Sequence, residues 1–100
     1  MLVHSVYFWF KKDADPGVVT DFENGLKRLS AVPQIRQVYY GRPEETPPRP
    51  VLDSSYDWAL YVMFDDLAAH DAYQAHELHD EFLAKYKASW ARVQVYDART

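Results

Sequence analysis

The chain of 100 residues predicts an α+β domain of order βαββαβ, with both helices on one face of a four-stranded antiparallel sheet. Three observations carry that prediction. Residues 2–10, 35–40, 56–64 and 92–96 are β-branched and aromatic runs without internal Gly or Pro. Two longer segments between them space their apolar residues at the helical period. The first and third strand runs are apolar on both faces, so the side of the sheet without helices also needs cover.

In the first run, alternation places His4, Val6, Phe8 and Phe10 on one face and Val3, Ser5, Tyr7 and Trp9 on the other. Asp15-Pro16 starts the first helix, Asp as N-cap and Pro at the first helical position. Val18, Val19, Phe22, Leu26 and Leu29 form its apolar stripe, and Pro33 limits its extent. Ile35 to Tyr40 is the second strand. Residues 41–55 hold Pro43, Pro47, Pro48 and Pro50, a long loop that reads as a lid over any pocket. In the third strand, Trp58, Leu60, Val62 and Phe64 oppose Ala59, Tyr61 and Met63. Residues 66 to about 87 are helical in two pieces, capped by Asp65 or Asp66, and Arg92 to Tyr96 closes the sheet. The expected domain is a single unit over residues 1–100.

Two helices cover one sheet face. Tyr7, Trp9, Tyr61 and Met63 on the other are most simply covered by a second copy, giving a homodimer whose sheets pack face to face as a dimeric α+β barrel. The net charge of −4 without a basic run argues against nucleic acid as a partner. Absence of cysteine excludes disulfides and thiolate catalysis and suits a cytoplasmic setting. The apolar run Val6 to Phe10 is far too short to span a membrane, and neither a signal peptide nor a membrane partner is expected.

Three of the four histidines lie between Phe64 and Phe82. Tyr73, His76 and His79 recur every three residues, which a helix brings onto one ridge. Imidazole and phenol there suit proton transfer or hydrogen bonding to an enolate; they equally suit a helix interior. His79 is the candidate general base, or a histidine bonded to the main chain where the helix breaks. Tyr73 is the candidate donor to a developing oxyanion, or a core tyrosine beside Leu67 and Phe82. His4 either orients His79 and touches a ligand or sits satisfied in the core. Trp58, Val6, Phe8, Leu60 and His76 are the candidate substrate-binding residues. His76-Glu77-Leu78-His79 lacks the spacing of a metalloprotease motif, and a metal on His76 would need Asp71, Asp80 or His70. No metal or cofactor is therefore expected. His70 is expected in solvent, and Asp80, Glu81 and Lys85 on an exposed face with an i,i+4 pair. With three glycines, the chain has no phosphate-cradling loop, dinucleotide fingerprint or nucleophile elbow.

The opening Leu2-Val3-His4-Ser5-Val6, the Tyr56-Asp57 start of the third strand, the helix Leu67…Tyr73-x-x-His76-x-x-His79 and the closing Tyr96-Asp97 resemble the stress-responsive α/β-barrel (Dabb) family of dimeric α+β barrels. Glu77 departs from the family pattern, where many members carry Pro. The resemblance spans nearly the whole chain and implies the dimeric barrel. Most members have no assigned activity. One plant branch closes a polyketide ring by an aldol reaction without metal or cofactor, and related barrels include cofactor-independent oxygenases. The pocket residues of that plant branch carry over as His4, Tyr73 and His79; its strand-three histidine is replaced by Trp58. The resemblance thus implies a small apolar carbonyl compound as ligand and a cofactor-free cyclase or isomerase. The other expectation is a non-catalytic stress-response or ligand-binding module with structural histidines.

Overall fold

In the computed structural model, which describes residues 1–100, β1 (Leu2–Phe10) leads into α1 (Pro16–Leu29) and β2 (Gln37–Gly41). Then follow β3 (Trp58–Phe64), α2 (Leu67–Gln74), α3 (Glu77–Tyr86), a 3-10 turn (Lys87–Ser89) and β4 (Trp90–Arg99). The four strands are antiparallel in the order β2-β3-β1-β4, the ferredoxin-like arrangement.

The predicted caps form. The Asp15 carboxylate accepts the Gly17 N–H at 2.8 Å, and Asp66 accepts that of Ala69 at 2.9 Å. Three strand ends differ from the sequence expectation. β2 starts at Gln37 because the Ile35 N–H turns back to the Val32 carbonyl at 3.2 Å. β3 starts at Trp58; the Asp57 carboxylate accepts the Phe10 N–H at 2.7 Å, beside the irregularity where β1 shifts register on β4 between Trp9 and Phe10. β4 is far longer than 92–96, because backbone pairing with β1 continues past the apolar residues as far as Leu2 opposite Arg99.

Register fixes the faces. His4 lies opposite Val62 and Asp97, Val6 opposite Leu60 and Val95, and Phe8 opposite Trp58 and Val93. All of these face the helices. Phe22, Leu26, Val62 and Phe64 are wholly buried between the layers, where apolar burial supplies the main driving force. Leu67, expected inside, is exposed.

The helices α1 and α3 meet at Gly25. A Cβ there would lie 2.2 Å from Tyr86 Cε2, so hydrogen alone permits the approach. The Tyr86 hydroxyl donates to the Asp21 carboxylate at 2.6 Å and accepts from Arg28 at 3.0 Å. Lys85 also pairs with Asp21, at 2.7 Å, rather than along its own helix with Glu81. These partners hold the Asp21 carboxyl well below the usual carboxylate range, the Lys85 ammonium foremost.

The opposite sheet face carries Tyr7, Trp9, Tyr61 and Met63. The Tyr7 and Tyr61 hydroxyls are 3.0 Å apart, while Tyr39 and Tyr96 are exposed at 59% and 61%. The 41–55 loop reaches this face. Trp9 Nε1 donates to Ser55 Oγ at 3.0 Å, and Val51 and Leu52 wall a depression of about 340 Å³ with Tyr7, Trp9 and Arg92. The loop therefore does not sit as a lid over the space between sheet and helices.

Candidate functional site

Between the sheet and α2–α3, on the β4 side, lies a cavity of about 250 Å³. Val6, Phe8 and Leu60 form its floor, Phe82 and Leu83 its roof, and Tyr73, His79 and His4 one end. Val93 and Val95 also line it and remain 44% and 42% exposed, so the cavity opens along β4. The helices leave that strand's apolar inner residues only half covered.

Tyr73 is 1% exposed, held in edge contact with His79 at 4.9 Å between ring centres and with His4 at 6.1 Å. Burial pushes its phenol above the ordinary range, so it stays a neutral donor. His79 Nδ1 is buried without a hydrogen-bond partner. Burial holds the imidazole below its ordinary pKa; Asp80 opposes that shift, and His4 and His70 reinforce it. His79 is thus not the histidine that satisfies the helix break. That histidine is His76: it is the N-cap of α3, and its Nδ1 accepts the Leu78 N–H at 3.0 Å. His76 does not line the cavity, which corrects its placement among the binding residues. At Glu77, the first residue of α3, an acidic side chain in the first turn suits the helix dipole.

Trp58 is corrected as well. It packs under α1 against Phe22 and Tyr40, with the Arg42 guanidinium 5.6 Å from its ring centre. The β2 side of the sheet holds it, whereas the cavity lies on the β4 side. The indole therefore neither fills the cavity nor lines it.

His4 is 5% exposed, and its Nδ1 lies 2.5 Å from Asp97 Oδ1. The sequence pattern ends the last strand at Tyr96, one residue short of this partner, whereas β4 runs on to Arg99. The alternation Val93, Val95 continued by one step gives Asp97 the inner face, and pairing with β1 sets it opposite His4. His70 was missed too: it is not in solvent but packs its ring 5.2 Å from that of His4 and 5.6 Å from that of Phe64. Trp90, a further residue that sequence reading passed over, lines the cavity with its indole Nε1 buried and unpaired. The cavity therefore combines an apolar body, a neutral phenol, an imidazole below its ordinary pKa and two buried nitrogens without partners. A small apolar molecule with one or two polar atoms suits such a lining.

The fold defines the class: a ferredoxin-like α+β barrel protein with a pocket between helices and sheet. Residues 2–99 match the model of the stress responsive A/B barrel domain, and the chain belongs to that family. No curated protein matches it by sequence. Among solved structures, it is similar to a dimeric ferredoxin-like protein of unknown function from Thermobifida fusca YX, at 21% identity and a TM-score of 0.80, covering 99% of this chain and 90% of that one. A Dabb family protein with a ferredoxin-like fold from Mesorhizobium loti is 21% identical, with a TM-score of 0.76 over 99% and 95% of the two chains. A hydroxynitrile lyase from Passiflora edulis shares the fold at 14% identity and a TM-score of 0.77, over 97% and 90%. No helix is long and apolar enough to cross a membrane.

Proposed function

We propose that the protein is a cytoplasmic homodimer whose cavity takes a small, largely apolar carbonyl compound and moves a proton at the carbon beside that carbonyl. Enolisation, ring closure and isomerisation all begin with this step. The observation that carries the reading is the His79 imidazole, in the cavity wall with a buried nitrogen that no protein group satisfies. A structural histidine at a helix break has its nitrogen engaged, as His76 does.

In this reading His79 is the general base and is neutral in the resting protein. Tyr73, in edge contact with it, donates its O–H to the oxygen that gains charge as the proton leaves. The Asp97 carboxylate fixes the ring of His4, which borders Tyr73. Val6, Phe8 and Leu60 hold the apolar part of the ligand. The dimer rests on the aromatic sheet face: Tyr39 and Tyr96 are exposed beside half-buried Tyr7 and Tyr61, a patch that a second copy would cover.

The test is exchange of α-protons for deuterium in a panel of apolar ketones and β-diketones, followed by NMR with the wild type and with His79→Ala. The expected result is exchange that falls by about 10²–10⁴-fold in His79→Ala while binding persists. Binding without any catalysed exchange, or equal exchange in both proteins, refutes the base and leaves the non-catalytic binding module.

A further inference from the structure

We propose that His4, His70 and Asp97 form a binding site for a divalent transition-metal ion, zinc being the best fit. One donor atom from each lies within 4.8 Å of the other two. The three come from β1, the first turn of α2 and the end of β4, so the fold rather than a local motif assembles them. Two imidazoles and a carboxylate favour zinc and its neighbours over calcium or magnesium, which prefer oxygen alone. Three protein ligands leave a fourth position for water or another small ligand.

The hydrogen bonds around His70 supply an independent observation. Its Nδ1 is 3.0 Å from Asp71 Oδ1, and its Nε2 is 3.5 Å from the Gln74 amide nitrogen. A carboxylate accepts and an amide nitrogen donates, so Nδ1 carries the proton and Nε2 keeps its lone pair. A carboxylate behind an imidazole is the usual arrangement behind a metal-bound histidine, where it fixes the ring and raises its basicity. The Gln74 contact is long and weak, and a metal displaces it readily.

Tetrahedral zinc with ligands at 2.0–2.2 Å draws its donors to about 3.4 Å apart. His4 Nδ1 and Asp97 Oδ1, 2.5 Å apart, have to open by about 0.9 Å, and donors as far as 4.8 Å apart have to close by about 1.4 Å. Half-exposed Asp97 and the half-buried His70 side chain make these moves by rotation, while buried His4 anchors the site. Metal binding replaces the hydrogen bond between His4 and Asp97 with two bonds to the ion.

The test is titration of the chelator-treated full-length protein with Co²⁺, read by its visible ligand-field absorption, and then with Zn²⁺ in competition. The expected result is one ion per chain. His70→Ala and Asp97→Asn each weaken binding at least about tenfold, the loss that even an outer-sphere partner causes; His76→Ala leaves binding unchanged. Circular dichroism checks each variant's fold, and if Asp97→Asn unfolds, half-buried His70 decides alone. Absence of stoichiometric binding, binding that survives His70→Ala, or equal loss in His76→Ala overturns the site. The readout is the ion itself, so the result is independent of the carbonyl chemistry proposed above.

Discussion

Replacing Gly25 with Ala should destabilise the protein, although the same change in an open helix interior stabilises by about 1 kcal/mol. The new methyl carbon would lie 2.2, 2.4 and 2.5 Å from Cε2, Cζ and the hydroxyl of Tyr86, more than 1 Å inside ordinary contact. The tip of a tyrosine can often swing aside. Here the ring is 1% exposed, Phe22 and Phe82 pack on it at 5.2 and 5.3 Å, and its hydroxyl is tied to Asp21 and Arg28. Overpacking of this kind costs about 1–3 kcal/mol, and partial expulsion of a buried aromatic ring adds to it. Set against the propensity gain of about 1 kcal/mol, overpacking near the top of that range leaves a net loss of about 1–2 kcal/mol, or roughly 5–15 °C in melting temperature for a domain of this size. Calorimetry or thermal circular dichroism measures it. In the Tyr86→Ala background the clash is gone, and adding Gly25→Ala should raise the melting temperature. A single Gly25→Ala variant that melts at or above the wild type would refute the close-approach argument. Because α3 also carries His79, the variant should weaken ligand binding in the cavity.

Two further outcomes follow from the histidines. In the metal-free protein, kcat/KM for the proposed proton transfer should fall on the acid side with its half-point below pH 6.5, since burial foremost depresses His79, with His4 and His70 adding to the shift and Asp80 opposing it. Stability follows the same sign: it is highest above 6.5 and declines as acid forces a proton onto the buried ring. A half-point at or above 6.5 would contradict the assignment. His76→Ala should cost about 0.5–2 kcal/mol through loss of the α3 cap, seen as a lower denaturation midpoint. It should leave ligand affinity within about twofold, against a large effect for a cavity residue.

The order of elements, both helix starts and the inward face of β1 were legible in the sequence, because they rest on local rules. Asp15-Pro16 is a cap with its following proline, and the alternation His4, Val6, Phe8 holds within one strand. That Tyr73 and His79 come together was legible through their spacing and the family resemblance. Trp58 was misplaced for the opposite reason. It shares a sheet face with Leu60, but which end of that face lies under which helix depends on how α1 and α3 settle. His76 and His79 have the same residue type on the same ridge, and only the backbone break at Ala75 makes one a cap and leaves the other with an unpaired nitrogen.

By itself the amino-acid sequence determined a two-layer α+β chain with an aromatic second face and a histidine-rich helix, since periodicity and capping act over a few residues. Only the tertiary structure decided that Asp97 meets His4 from the far end of the chain and that His70 turns inward beside them. The sequence separation of 93 residues between the first two is closed by strand register, a long-range property that no local pattern encodes.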